Sequence, residues 1–198
     1  LLPVPGCGTC GEPRDRTLSV GYEAASVEES VERAERALDE RVGVVASLGE
    51  VASFPVPYYL AEVTDTSAFS DVRAAEQAAG VAADWDAALM KALGEALERY
   101  CAGVYRESEF GVAPPSALDD AVPPRAFVRP EGWPDARGTD CAWVPGRNLA
   151  TGEPVTVPAE FVQFPPTEPR FKPPITTGLG LGNSTTEALL SGLYEVVE

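Results

Sequence analysis

Glutamates fall in two stretches of this 198-residue chain at spacings that place them on one side of a helix. In Lys91-Ala92-Leu93-Gly94-Glu95-Ala96-Leu97-Glu98-Arg99-Tyr100, at about 100° per residue, Lys91, Glu95, Glu98 and Arg99 share a stripe about 100° wide. Leu89, Leu93, Leu97 and Tyr100 take the opposite side. Alone, that stripe reads as a solvated ladder of i,i+4 ion pairs, each contributing about 0.2–0.5 kcal/mol. The second stretch differs. Glu187, Glu195 and Glu198 fall within about 80° of one another, opposite Leu189, Leu193 and Val196, and no Lys or Arg lies between them. Partly buried, two such carboxylates about 4 Å apart repel by about 4 kcal/mol at an effective dielectric near 20. A divalent cation removes that repulsion, and Mg²⁺ takes carboxylate oxygens together with phosphate oxygens. A nucleotide in such a site must be bridged to the acids by metal, because its phosphates are themselves anionic. Several Glu beside one nucleotide therefore imply more than one Mg²⁺.

Ahead of the second stretch runs Thr176-Thr177-Gly178-Leu179-Gly180-Leu181-Gly182-Asn183-Ser184. Alternating glycines before a helix start let backbone amides approach an anion. No Gly-Lys-Ser/Thr follows, and the spacing is not GxGxxG. Ser184 and Glu187 also fit a capping box, which by itself accounts for both residues.

The chain contains no histidine, so Ser-His-Asp and Cys-His catalysis are excluded within it, as are His-based metal sites. Chemistry here must use carboxylates, Arg, Lys, backbone amides or cofactors. Cys7 and Cys10, set among glycines, make half of a Zn²⁺ knuckle, with two further ligands needed from elsewhere; a redox pair or two idle thiols are the other readings. Cys101 and Cys141 are single and distant in sequence.

The net charge of −16 repels nucleic-acid phosphates, so no nucleic-acid partner is expected. Only two of the 15 basic residues are Lys, a balance that reads as a halophile's cytoplasmic protein. No window approaches the 18 or so apolar residues of a membrane span. A content of 44% hydrophobic residues suffices for one sizeable core. The termini, Leu1-Leu2-Pro3 and Val196-Val197-Glu198, read as cut points in a longer protein.

The elements that must position these residues follow from pattern. Residues 1–16 are Pro/Gly/Cys-rich, a turn-dense leader or the tail of a preceding module. Ser26 to Glu29 is a capping box opening a helix to about Arg41, burying Val27, Val31, Ala34 and Leu38. Val42–Val51 and Tyr58–Thr64 read as strands, separated by Phe54-Pro55-Val56-Pro57. A helix is predicted from Asp84 to about Val104, then a long surface excursion from Gly111 to about Gly138. Cys141–Val144 and Val155–Val157 suggest a hairpin, and a last helix starts near Ser184. Strands and helices mix without βαβ regularity, which makes the fold class α+β, with mixed sheets and packed amphipathic helices. No internal repeat is evident, although the two Glu-bearing helices echo each other.

Taken together, Ile175 to Ala188 and Gly192-Leu193-Tyr194-Glu195-Val196-Val197-Glu198 resemble the YcaO family's "NGxxxGN…EA…GLxExxER" stretch. Lys91 to Tyr100 resembles its earlier "SALGEALER" helix, with Lys91 where the family motif opens on Ser. Val144 to Leu149 with Val155 to Phe161 resembles the connecting hairpin. The resemblance covers about residues 17–198 and implies the N-terminal part of a YcaO-like ATP-binding domain, inactive by itself. It implies ATP- and Mg²⁺-dependent O-phosphorylation of peptide backbone amides, leading to azolines, thioamides or a related modification. By position, Glu95, Glu98, Glu195 and Glu198 match Mg²⁺-facing acids, Asn183 and Glu187 match nucleotide contacts, and Ser30 matches a Ser near the phosphates. Arg99, beside them, is assigned to ATP as well. A peptide or protein substrate, a docking or partner protein and a homodimer are the expected partners; no membrane is. A non-catalytic scaffold or peptide-docking member, or an α+β ligase of unrelated chemistry, remain the alternatives.

Overall fold

The computed structural model describes residues 25–135 and 138–198, so the Cys7/Cys10 knuckle lies outside the described residues. It has the expected α+β character, with three helices and two antiparallel three-stranded sheets among the described residues. Among the described residues no helix is long and apolar enough to cross a membrane. The described residues divide into two compact units, one formed by residues 25–104 together with 176–198, the other lying within 105–175.

In the first unit, α1 (Val27–Glu35) opens on the predicted capping box: Ser26 Oγ accepts from the Glu29 amide and Glu29 reaches back to the Ser26 amide. It ends six residues earlier than expected. Asp39 Oδ1 accepts from the amides of Arg41 and Val42, a local turn that competes with helix for these backbone groups. The buried face also differs, since Ser30 and Ala34 point inward and Val27 is 43% exposed.

Strands β1 (Val45–Glu50), β2 (Tyr58–Val63) and β3 (Gln77–Val81) form one antiparallel sheet in that order. α2 (Trp85–Gly103) lies across it. The core between them is built largely from alanine: Ala61, Ala78, Ala92 and Ala96 with Val45, Val63 and Leu93. Small residues bring helix and sheet close. A Cβ on Gly80 would lie 2.0 Å from the Ala88 carbonyl oxygen and 2.4 Å from the Ala92 nitrogen. The same smallness hid β3 from the sequence, because Gln77-Ala78-Ala79-Gly80 carries no β-branched or aromatic signal ahead of Val81.

α3 (Thr185–Val197) starts where predicted, with Ser184 as N-cap. Its expected capping box is half formed. Ser184 Oγ accepts from the Glu187 amide, but Glu187 Oε2 accepts from Asn183 rather than from Ser184. Its apolar face, opposite the acids, is open among the described residues, with Leu189 47%, Leu193 49% and Val196 63% exposed.

The echo between the two helices proves to be a repeat. At an offset of 100 residues, Gly80, Ala88, Leu89, Leu93, Glu95 and Glu98 recur as Gly180, Ala188, Leu189, Leu193, Glu195 and Glu198. The geometry recurs too. The N-caps Asp84 (φ −131, ψ 163) and Ser184 (φ −139, ψ 164) have the same backbone conformation, and each accepts from the amide three residues on. A Cβ on Gly180 would lie 2.4 Å from both the Ala188 oxygen and the Gly192 nitrogen, the counterpart of Gly80 against Ala88 and Ala92. Gly182 and Gly192 make similar close approaches to backbone. The alternating glycines expected to admit an anion thus let an extended segment lie on α3. Aligned packing turns the echo into a repeat, because the glycine ahead of each helix and the alanine it meets recur with the Leu and Glu positions.

In the second unit, β4 (Gly111–Ala113), β5 (Cys141–Arg147) and β6 (Pro154–Pro158) form an antiparallel sheet in that order. The predicted hairpin is β5–β6, and the expected surface excursion contributes β4. Cys141, Trp143 and Phe171 form its core. Glu160 Oε1 accepts from three successive amides, Arg170, Phe171 and Lys172, at 2.7–3.0 Å, fastening the turn after β6 to that segment.

Candidate functional site

An open cleft of about 900 Å³ lies in the first unit, walled by α1, α2, the glycine-rich segment and α3. Its size falls within the range of small-molecule sites. Ser30, Glu95, Glu98, Arg99, Asn183, Glu187 and Glu195 all line it, seven of the eight residues expected to hold nucleotide and metal. Glu198, the eighth, follows the last turn of α3 and does not line it. Cys101 sits exposed on α2, and Cys141 is buried in β5 of the other unit.

Two of the seven do structural work that the sequence reading missed. β3 is an edge strand, and its outer backbone groups are met by the α2 ladder: Lys91 Nζ donates to the Val81 carbonyl (3.2 Å), Glu95 Oε2 accepts from the Ala79 amide (2.7 Å) and Arg99 donates to the Gln77 carbonyl. Two residues of strand advance about 6.6 Å and four residues of helix about 6 Å, so an i,i+4 ladder matches every second strand residue. Glu95 and Arg99 pair with each other at 2.5 Å. An edge closed in this way does not template pairing with another chain. Arg99 Nε is buried without a hydrogen-bond partner.

Glu98 is the acid least at ease. It stands half-buried on α2 with Oε1 accepting from the Leu181 amide at 2.7 Å. Burial pushes its carboxyl above the usual range, and the charges of Glu195 and Glu95 push the same way, while the Leu181 amide and Arg99 pull it down. Gly94, one turn earlier, leaves room for Leu181, whose Cδ2 would lie 3.5 Å from an added Cβ.

Across the cleft, three side chains form a network. Asn183 Nδ2 donates to Ser30 Oγ (2.9 Å), Ser30 Oγ donates to the Ser26 carbonyl (2.9 Å), and Arg33 donates to Asn183 Oδ1 (3.0 Å). This ties α1 to the turn before α3. Arg33 was not anticipated; its one-turn spacing from Ser30 on the same helix was the available signal.

Four carboxylates and three cations line the cleft: Glu95, Glu98, Glu187 and Glu195 with Arg33, Lys91 and Arg99. Among the described residues no three acids stand close enough to cage a metal ion by themselves. Mg²⁺ needs only one or two carboxylates when phosphate and water complete its octahedron. A half-buried acid raised by neighbouring acids, and an orphaned buried guanidinium nitrogen beside it, are the groups that such a cation and its anion would satisfy. The donor set fits magnesium phosphate chemistry.

A sequence profile described as YcaO cyclodehydratase, ATP- and Mg²⁺-binding, matches residues 79–198. An uncharacterised protein of Methanothermobacter thermautotrophicus is 35% identical over 124 residues, covering 61% of this chain and 32% of that protein. Among solved structures, the fold is similar to a heterocyclase in complex with substrate and cofactor, with a TM-score of 0.71, 21% identity, and coverage of 97% of this chain and 31% of that one. It is also similar to YcaO from Methanopyrus kandleri bound with AMPPCP and Mg²⁺, with a TM-score of 0.63, 26% identity, and coverage of 90% of this chain and 44% of that one. The chain thus spans from about a third to under half the length of these relatives.

Proposed function

Because this chain belongs to the YcaO family, we propose that its cleft binds ATP with Mg²⁺ and serves the activation of peptide backbone amides in the whole protein. One observation carries the reading: seven residues drawn from three helices and a turn, separated by up to 165 positions, line a single cleft. In that reaction the amide oxygen takes the γ-phosphoryl group and ADP departs. A Cys, Ser or Thr side chain, or sulfide, then adds to the amide carbon, and phosphate leaves with the former amide oxygen. An azoline or a thioamide results.

Bound Mg²⁺ would neutralise charge on the transferring phosphoryl group. Glu98 and Glu195 are the residues to hold it, since the charge of Glu195 raises the cost of ionising Glu98 and a cation relieves it. Glu95 uses one lone pair on each oxygen for Ala79 and Arg99 and keeps another on each for the cleft. Asn183, fixed by Ser30 and Arg33, retains one amide hydrogen for a phosphate oxygen.

Phosphate release by the full-length protein, measured with a panel of Cys-, Ser- and Thr-containing peptides, tests this. Release that needs both Mg²⁺ and a peptide is expected. ATP binding with no peptide-stimulated release across the panel would instead support the scaffold reading.

A further inference from the structure

Counting hydrogen-bond donors around the cleft singles out one cation. Lys91 Nζ gives one of its three N–H donors to the Val81 carbonyl of the β3 edge, and Arg99, pinned between Gln77 and Glu95, gives two of its five. Ser30 has already given its hydroxyl hydrogen to the Ser26 carbonyl, so it has none left for a phosphate oxygen. Arg33 gives the smallest share of its donors. It is exposed, it makes no ion pair among the described residues, and one of its five N–H donors goes to the neutral Asn183 Oδ1.

The repeat adds an independent reason to see Asn183 and Arg33 as more than structural. The position equivalent to Asn183 is Ala83, where a methyl group serves the same turn before the same kind of helix. The turn therefore does not need a carboxamide. The one at 183 is held from both sides, by Ser30 and by Arg33, which fixes the guanidinium at the cleft wall. A planar fork with four open donors, in a cleft whose other cations also hold the β3 edge, matches the geometry of phosphate oxygens.

We propose that Arg33 of α1, anchored by Asn183, is a phosphate-contacting residue that distinguishes a nucleoside triphosphate from a monophosphate. This rests on the nucleotide reading of the cleft. Calorimetry on the full-length protein with Mg²⁺ present, using ATP and AMP in parallel, tests it. Arg33→Gln is expected to weaken ATP binding about 10-fold or more while leaving AMP within about 2-fold, and Arg33→Lys to fall between. Asn183→Ala, which frees the guanidinium without removing it and takes away one neutral amide donor, is expected to weaken ATP less than Arg33→Gln does. Equal loss for ATP and AMP, or no loss for either, would overturn the assignment while leaving the cleft a nucleotide site. Wild-type protein that binds neither nucleotide would overturn both readings.

Discussion

Glu98 on α2 accepts a 2.7 Å hydrogen bond from the backbone amide of Leu181, joining residues 83 positions apart and fixing the glycine-rich segment against the helix. That bond holds a carboxylate in place that burial and two neighbouring acids disfavour.

The sign of its pH dependence follows. A carboxyl raised in the folded state keeps its proton where the unfolded chain has lost it. Stability therefore falls as pH rises from the ordinary carboxylate pKa through the raised one. Glu98→Gln preserves an acceptor for Leu181 and removes the ionisation. Thermal melts from about pH 4 to about pH 8 are expected to show the variant above the wild type at the upper end and converging with it at the lower. Mg²⁺ binding to the wild type should release a proton and strengthen through the same window, which calorimetry in buffers of different ionisation enthalpy reads directly.

The repeated glycines make a second prediction. Gly80→Ala and Gly180→Ala each place a methyl within 2.4 Å of helix backbone, so each is expected to cost about 1–3 kcal/mol. Gly49→Ala, with nothing within 4 Å, is expected to stay within about 0.5 kcal/mol. Chemical denaturation of the three variants compares them on one scale.

A third concerns the closed edge of β3. Glu95→Ala leaves the Ala79 amide without its acceptor and exposes the edge, for an expected loss of about 1 kcal/mol and increased association at high concentration. Glu95→Gln keeps an acceptor and should show less of both. Denaturation and light scattering, run side by side, separate the two variants.

How far the molecule was legible in its sequence depended on residue size. α2 and α3 were readable because Asp84 and Ser184 announce their starts and large apolar residues keep a helical period. β3 was not, since tight packing selects Gly and Ala, which carry little periodic signal, and the echo of α2 in α3 became a repeat only through the packing of Gly80 and Gly180. The acids of the cleft stood out through their charge. The edge-capping role of Glu95 and Arg99 did not, because it requires knowing that β3 is an outer strand. Arg33 escaped notice on an α1 surface already rich in charged residues, and its meaning depends on Asn183, 150 positions away.

The account rests most directly on Mg²⁺-dependent nucleotide binding in the cleft. Titration of the full-length protein with a non-hydrolysable ATP analogue, with and without Mg²⁺, measures it for the wild type and for Glu98→Gln and Glu195→Ala. Binding that requires Mg²⁺ and falls about 10-fold or more in each variant is the expected result. Binding indifferent to Mg²⁺, or unchanged in both variants, would contradict it.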